Sequence, residues 1–316
     1  GRFDHSEWRK TILFAADDAK NGLHQDGTLH TSSQEGVARN IDALVDTMHF
    51  RWNHKKVYLL DYEEDAAGQK KTATDDFLNI MNQGALITTY FGHGSRTDWA
   101  SEGLLKPSYL SRISNKKRTT ILGSFACTVS RFDQGGVRTL SEEFLLAPSV
   151  GSIVSLGAAR ETFADFNENF ASNFLFALLR NDGLPVGDAY LRAKNSVENK
   201  YSRARYNNEH YLLLGEPVIG ILGAGFKVKF DERIDTLKAL DKVTLSGSVQ
   251  GMEDGIIDIS LHESRSNKRL YLGIPTLEED TLDVVYDGPL VYSEKIPVVG
   301  GRFKTEFVTP RKVSFG

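Results

Sequence analysis

The chain of 316 residues holds one cysteine, Cys127, and it closes an apolar run, residues 119–127 (TTILGSFAC). A second run of the same build, residues 85–94 (ALITTYFGHG), delivers a histidine between two glycines, Gly92-His93-Gly94. Short continuous apolar runs of this kind read as strands buried on both faces of a parallel sheet. In open α/β sheets reactive groups gather beyond the carboxyl ends of such strands. A thiol and an imidazole delivered to two strand ends suggest a nucleophile with its general base, because the thiolate is the reactive form and needs a neighbour to take its proton. Either residue alone reads more simply as structural: a lone cysteine is usually buried filler. The pair reverses that preference. The backbone N–H groups of Gly94 and Cys127 are candidates for an oxyanion hole.

A third strand end supplies Asp17 and Asp18, after residues 11–16 (TILFAA). A carboxylate beside His93 would fix its tautomer and stabilise the imidazolium; the plainer account makes both loop or capping residues. His24 and His30 lie in the glycine-containing loop that follows, which could overhang the site, although solvated loop residues are the simpler reading. Residues 61–65 (DYEED) could attract a hard cation, but they lack EF-hand spacing, and an acidic solvated loop is the simpler reading. No His/Cys cluster has zinc spacing, and no glycine-rich phosphate loop is present. No metal and no cofactor are expected.

The elements that must carry these residues alternate in type from 11 to 225. Strands are expected at 11–16, 56–61, 85–91, 119–126, 151–157 and 211–217, with helices at 33–50, 75–83, 140–147, 167–180 and 185–199. Alternation of this kind marks an α/β domain with a largely parallel sheet. Beyond Gly225 the period changes to short strands at 226–230, 242–250, 256–263, 269–274, 282–285 and 296–307. Two domains are therefore expected, 1–225 and 226–316, the second an immunoglobulin-like β-sandwich cut short at its C-terminus.

Formal charge is −4, spread evenly, with 25 basic and 27 acidic residues in 1–225 and 13 and 15 in the remainder. No basic stripe appears, which argues against nucleic acid as a partner. No run approaches the roughly 18 apolar residues of a membrane-spanning helix. The chain opens at Gly1 without methionine and ends in a strand-like pattern, so it is expected to be part of a longer protein. A single cysteine leaves no internal disulfide framework.

With these residues in view, the chain resembles the gingipain-type cysteine peptidases of clan CD, which share a caspase-like fold. Residues 90–100 (YFGHGSRTDWA) are similar to that family's histidine segment. Phe125-Ala126-Cys127 is similar to its nucleophile segment, and residues 213–217 (LLGEP) to its closing motif. Within the family the strand end at 14–18 (FAADD), the loop at 21–24 (NGLH) and the closing segment at 211–217 look most like the PorU-like sortases of the type IX secretion system. The resemblance implies Cys127 as nucleophile, His93 as general base, Asp18 as the acidic third member, and Trp99 beside the substrate cleft, with His24 in the overhanging loop as a further substrate contact. It also implies work at the outer face of the outer membrane. There the enzyme would remove C-terminal sorting domains from secreted cargo and join the new terminus to an amine on anionic lipopolysaccharide, recruited by an outer-membrane β-barrel shuttle. The specificity acid of the Arg- and Lys-specific members has no counterpart that aligns onto one residue here. A plain surface endopeptidase, a non-catalytic docking scaffold and a cytosolic caspase-like enzyme are the alternatives.

Overall fold

The computed structural model describes residues 7–18, 32–47, 52–179, 184–197, 202–221, 226–232, 234, 236–271 and 281–311. Its main sheet has six strands in the order β2-β1-β3-β4-β5-β6. These are β1 (Thr11–Ala16), β2 (Asn53–Tyr58), β3 (Ile87–Phe91), β4 (Thr120–Phe125), β5 (Ser152–Ala158) and β6 (Tyr211–Gly215). All neighbours are parallel except β6, which runs antiparallel to β5. β1, β3 and β4 are buried at every position, as helix-covered parallel strands should be.

Alternation along each strand divides the core in two. Leu13, Ala15, Tyr90 and Leu122 pack with Phe77, Leu78 and Met81 of α2 (Lys71–Gln83) and with Leu140 and Phe144 of α3 (Leu140–Leu146). On the other face Phe91 stacks on Phe125 at 4.9 Å between ring centres, and Phe170 stacks on Tyr211 at 4.2 Å. Phe170 belongs to α4 (Ala164–Leu179), which packs against α1 (Ser32–Asp46) and α5 (Val186–Lys194). Each such buried phenylalanine contributes about 1.5–3 kcal/mol.

α2 begins a turn before the expected residue 75, because residues 71–74 add Ala73 and Thr74 to its buried side. Its end matches: Gly84, at φ +102°, closes the helix by donating its N–H to the Ile80 carbonyl. α3 carries a capping box, Thr139 and Glu142 bonding each other's backbone N–H. A sixth helix, α6 (Arg203–Glu209), was not expected. Its sequence, RARYNNE, lacks an apolar stripe; it is held by the Ser202 cap and by burial of Asn207 and Asn208.

The described residues divide into two compact units, one within 6–223 with 269–283, the other within 224–268 and 284–316. The second unit is antiparallel β. A sheet of β13 (Arg302–Val308), β8 (Lys242–Gln250) and β7 (Lys227–Phe230) and a pair of β12 (Leu290–Val298) and β9 (Gly255–His262) enclose Val249, Ile296, Val298 and Phe303. A further pair, β10 (Ser266–Tyr271) with β11 (Thr281–Tyr286), lies between β9 and β12 in sequence. The single strand expected at 296–307 is in fact two. Gly300 and Gly301, both at positive φ, turn the chain between Val299 and Arg302.

Candidate active site

The ladder between β3 and β4 sets the site. Its last pair is Phe91 with Phe125, so His93 and Cys127 each lie two residues beyond it on adjacent parallel strands, whose spacing is about 4.8 Å. The chain approaches itself closely there. A Cβ on Gly94 would lie 2.8 Å from Ala126 Cβ and Val129 Cγ1 and 2.9 Å from the Cys127 carbonyl oxygen. One on Gly92 would lie 2.3 Å from the Tyr90 hydroxyl and 2.5 Å from Asp17 Cβ. Glycine at both positions is thus a packing requirement of the histidine turn. Beyond Cys127, Thr128 turns the chain in the left-handed region at φ +56°, a strained conformation for a β-branched residue.

Cys127 is half-buried. Its Sγ accepts the Thr162 N–H at 3.3 Å and approaches the Thr162 carbonyl at 3.5 Å. Thr162 is in turn fixed from behind by a buried polar network. Asn167 Nδ2 donates to Thr162 Oγ1 at 3.2 Å, while Asn167 Oδ1 accepts from the Tyr211 hydroxyl at 2.7 Å and from Asn207 Nδ2 at 3.1 Å. Asn207 Oδ1 holds the Phe163 N–H at 2.8 Å. Burial pushes the Tyr211 hydroxyl well above its ordinary range, which keeps it a donor. Nothing in the sequence marked Thr162. The one usable signal was Asn167, a polar residue on the same face of α4 as Phe170, Ala171 and Phe174.

His93 is held by its backbone. Its N–H donates to Asp17 Oδ2 at 2.9 Å, and its carbonyl accepts from the Tyr90 hydroxyl at 2.8 Å and the Ala100 N–H at 3.0 Å. The Gly94 and Cys127 N–H groups donate to no partner among the described residues, which leaves both amides available to an incoming oxyanion.

The two carboxylates of the β1 end lie close together but take different partners. Asp17 takes the His93 N–H. Asp18, expected as the acidic third member, forms a buried ion pair with Lys70, whose Nζ also donates to the Leu59 carbonyl at 2.6 Å. Burial raises the Asp17 carboxyl to about 7, with Glu102 and Asp18 adding repulsion and the His93 and Asp18 N–H groups opposing the rise. Asp17, Asp18 and Glu102 bring carboxylate oxygens within 4.8 Å of one another, the one grouping of metal-ligand type among the described residues; Lys70 already supplies it with a cation.

Trp99, expected beside the substrate cleft, is instead wholly buried. It stacks on Tyr90 at 4.6 Å, meets Phe77 edge-on, and donates its Nε1 hydrogen to Ser124 Oγ at 3.1 Å. An indole enclosed on all sides braces the histidine turn from below and has no face left for substrate. His24 and His30 lie outside the described residues. In the acidic loop Asp65 Oδ1 accepts the Ala67 and Gln69 N–H groups, an ordinary turn-forming role.

The family model for peptidase family C25 matches residues 2–222. The chain belongs to peptidase family C25. No curated protein matches it significantly. Among solved structures, the Arg-specific cysteine proteinase gingipain R (RgpB) aligns with a TM-score of 0.52 at 15% identity, over 97% of this chain and 62% of that one. A structure described as a protease aligns at 0.51 and 13% identity, over 96% and 67%. The complex of the pro- and mature domains of Porphyromonas gingivalis RgpB gives 0.49 at 13%, over 97% and 63%. The C25 chain thus spans about 62% of the length of gingipain R, and at these identities the first two likenesses are of fold: a gingipain-like α/β sheet flanked by helices with antiparallel β-structure following.

Proposed function

We propose that the C25 chain carries the catalytic part of a cysteine endopeptidase that works as a sortase. It would cleave the C-terminal sorting domain from type IX secretion cargo and join the new C-terminus to an amine on anionic lipopolysaccharide, at the cell surface beside an outer-membrane β-barrel shuttle. One observation carries the peptidase part: a thiol and an imidazole at equal register on neighbouring strand ends, with the Cys127 and Gly94 amides undonated. The sortase part rests on the likeness of residues 14–18, 21–24 and 211–217 to the PorU-like branch.

In the reaction the Cys127 thiolate attacks the scissile carbonyl carbon, and the oxyanion is received by the Gly94 and Cys127 N–H groups. His93, carrying the thiol proton, gives it to the departing amine as the C–N bond breaks, leaving a thioester on Cys127. An acceptor amine then attacks the thioester, His93 takes its proton, and the thiol is released. Water in place of the amine yields a plain endopeptidase. That second reading draws support from the gingipain R fold and from the partial exposure of Cys127.

The test is intact-mass analysis of a purified cargo protein incubated with the full-length enzyme and an amine acceptor. A product joined to the acceptor, absent with Cys127→Ala, is expected. A product ending only in a free carboxylate would replace the sortase with a hydrolase. Processing that survives Cys127→Ala would remove the nucleophile assignment. Intact cargo alongside wild-type enzyme would favour a docking scaffold.

A further inference from the structure

We infer that Asp17, together with the Tyr90 hydroxyl, is a positioning device for the general base, clamping the peptide groups on both sides of His93. The inference rests on the reading of Cys127 and His93 as nucleophile and base, and it concerns a residue which that reading leaves without a role. Asp17 is 3% exposed and sits directly under the histidine turn. One of its oxygens accepts the His93 N–H at 2.9 Å; the other accepts the Asp18 N–H at 3.0 Å. Its own N–H donates to the Phe91 carbonyl at 2.9 Å, tying the β1 end to the β3 end just before the turn. On the far side of the His93 peptide, the Tyr90 hydroxyl donates to the carbonyl at 2.8 Å and lies 3.3 Å from Asp17 Oδ2.

A hydroxyl carries one proton, and the shorter contact takes it. Tyr90 therefore donates to His93, and its oxygen lone pairs face Asp17. An ionised Asp17 binds the His93 N–H strongly, as charge-assisted bonds do, but sets a carboxylate against the Tyr90 oxygen. A protonated Asp17 donates to Tyr90 and holds the His93 N–H more weakly. The clamp therefore has two grades of grip, set by one proton. The groups facing that proton are the Asp18 and Glu102 carboxylates, the Lys70 ammonium paired with Asp18, the Tyr90 hydroxyl and His93 itself. Burial, with two carboxylates nearby, brings Asp17 to titrate near neutrality, inside the range where a thiol–imidazole pair works.

With the main chain of His93 fixed on both sides, only its two side-chain torsions remain free. Misplacing a general base by about 1 Å can cost about 100-fold in rate. Asp17→Asn keeps the shape and removes the charge. It can offer an acceptor to the His93 N–H or to the Asp18 N–H, but not to both.

The test follows the alkylation rate of Cys127 by iodoacetamide from pH 5.5 to 8.5 in wild type, Asp17→Asn, Tyr90→Phe and His93→Ala, with thermal melts on each. This readout needs no peptide substrate. Asp17→Asn should react about 10- to 100-fold more slowly than wild type at pH 8. The gap should close toward parity at pH 5.5, where wild-type Asp17 is itself uncharged. Tyr90→Phe should slow the reaction about 3- to 10-fold, and it carries the test if the melts show Asp17→Asn to be unfolded. A wild-type to Asp17→Asn ratio that is constant with pH would mean a merely structural role and overturns the inference, as does a ratio near one at pH 8. A Cys127 rate indifferent to His93→Ala overturns it too. If the alkylation pattern holds but cargo remains uncleaved, the inference stands and the proposed reaction falls.

Discussion

Lys70 carries a buried charge whose removal should do heavy damage. Its side chain is 3% exposed and that of Asp18 1%, so neither charge has water to fall back on. The Lys70 ammonium meets the Asp18 carboxylate and donates to the Leu59 carbonyl at 2.6 Å. Lys70→Met fills similar space without the charge. Leaving Asp18 buried and uncompensated costs about 3–5 kcal/mol, and the stranded Leu59 carbonyl adds about 1–3 kcal/mol. A loss of about 4–8 kcal/mol is a large part of the 5–15 kcal/mol that holds an ordinary domain together. The measurement is a double-mutant cycle by urea unfolding at pH 7.5 with Lys70→Met, Asp18→Asn and the double variant. Because Asp18→Asn removes the orphaned charge, the double variant should recover about 2–4 kcal/mol relative to the sum of the single losses. A Lys70→Met loss under about 1 kcal/mol, or a coupling under about 0.5 kcal/mol, would refute the reasoning and show that the pair is solvated. A large coupling would also mean that Asp18 is committed to holding β1 against Lys70, so any effect of Asp18→Asn on turnover must be read after its effect on stability.

Gly94→Ala should cost about 1–3 kcal/mol by overpacking and lower turnover more than 100-fold, because the new methyl would sit under 3.0 Å from Ala126, Val129 and the Cys127 carbonyl; near-normal turnover in a folded variant would contradict the placement of the histidine turn. Trp99→Phe loses the bond to Ser124 Oγ and should lower stability by about 1–3 kcal/mol while leaving KM unchanged; a raised KM at unchanged stability would return Trp99 to the substrate cleft. Asp17 gives the pH dependence of stability. Its carboxyl rises from 3.8 to about 7 on folding, so between those values the native chain holds a proton that the unfolded chain has lost. Stability from this group is therefore full below about pH 4, falls as pH rises, and is lower by about 4 kcal/mol above pH 7. The difference between wild-type and Asp17→Asn unfolding curves should show that slope, and a flat difference would place Asp17 in water.

Much of the sheet was legible because buried parallel strands are short apolar runs with polar ends. The bounds of β1 and β8 coincide with expectation, whereas run composition only allowed the His93 and Cys127 strands to be neighbours, and it is the sheet order that pairs them. What stayed hidden depends on partners far away in sequence. Lys70 meets Asp18 across 52 residues, and Asn207 meets Asn167 across 40; no local pattern records either. Two adjacent aspartates at a strand end can take different partners, and sequence does not say which one meets the histidine turn. Trp99 misled in another way. The family resemblance implied a cleft position for it, yet the turn between Gly94 and Trp99 folds the indole back onto Tyr90. The helix α6 was missed because buried asparagine amides, not an apolar stripe, hold it in place.

The supports of thiol and imidazole come from different parts of the fold, and this makes a last prediction possible. Cys127 is braced through Thr162 by Asn167, Tyr211 and Asn207, from α4, β6 and α6. His93 is braced by Asp17, Tyr90 and Ala100, from the ends of β1 and β3 and the turn after β3. The two sets share no member; among their meeting points is the packing of Gly94 on Ala126, Val129 and Cys127. Changes without shared partners add within about 0.5 kcal/mol, whereas changes at a common contact do not. Asn167→Ala and Tyr90→Phe should therefore each lower kcat at nearly constant KM, and their effects on log kcat should sum in the double variant. Gly94→Ala disturbs both sides at once, so adding Asn167→Ala to it should change little further. If Asn167→Ala and Tyr90→Phe instead couple by more than about 1 kcal/mol, the thiol and its base are held by one connected network, and the separation argued here is wrong.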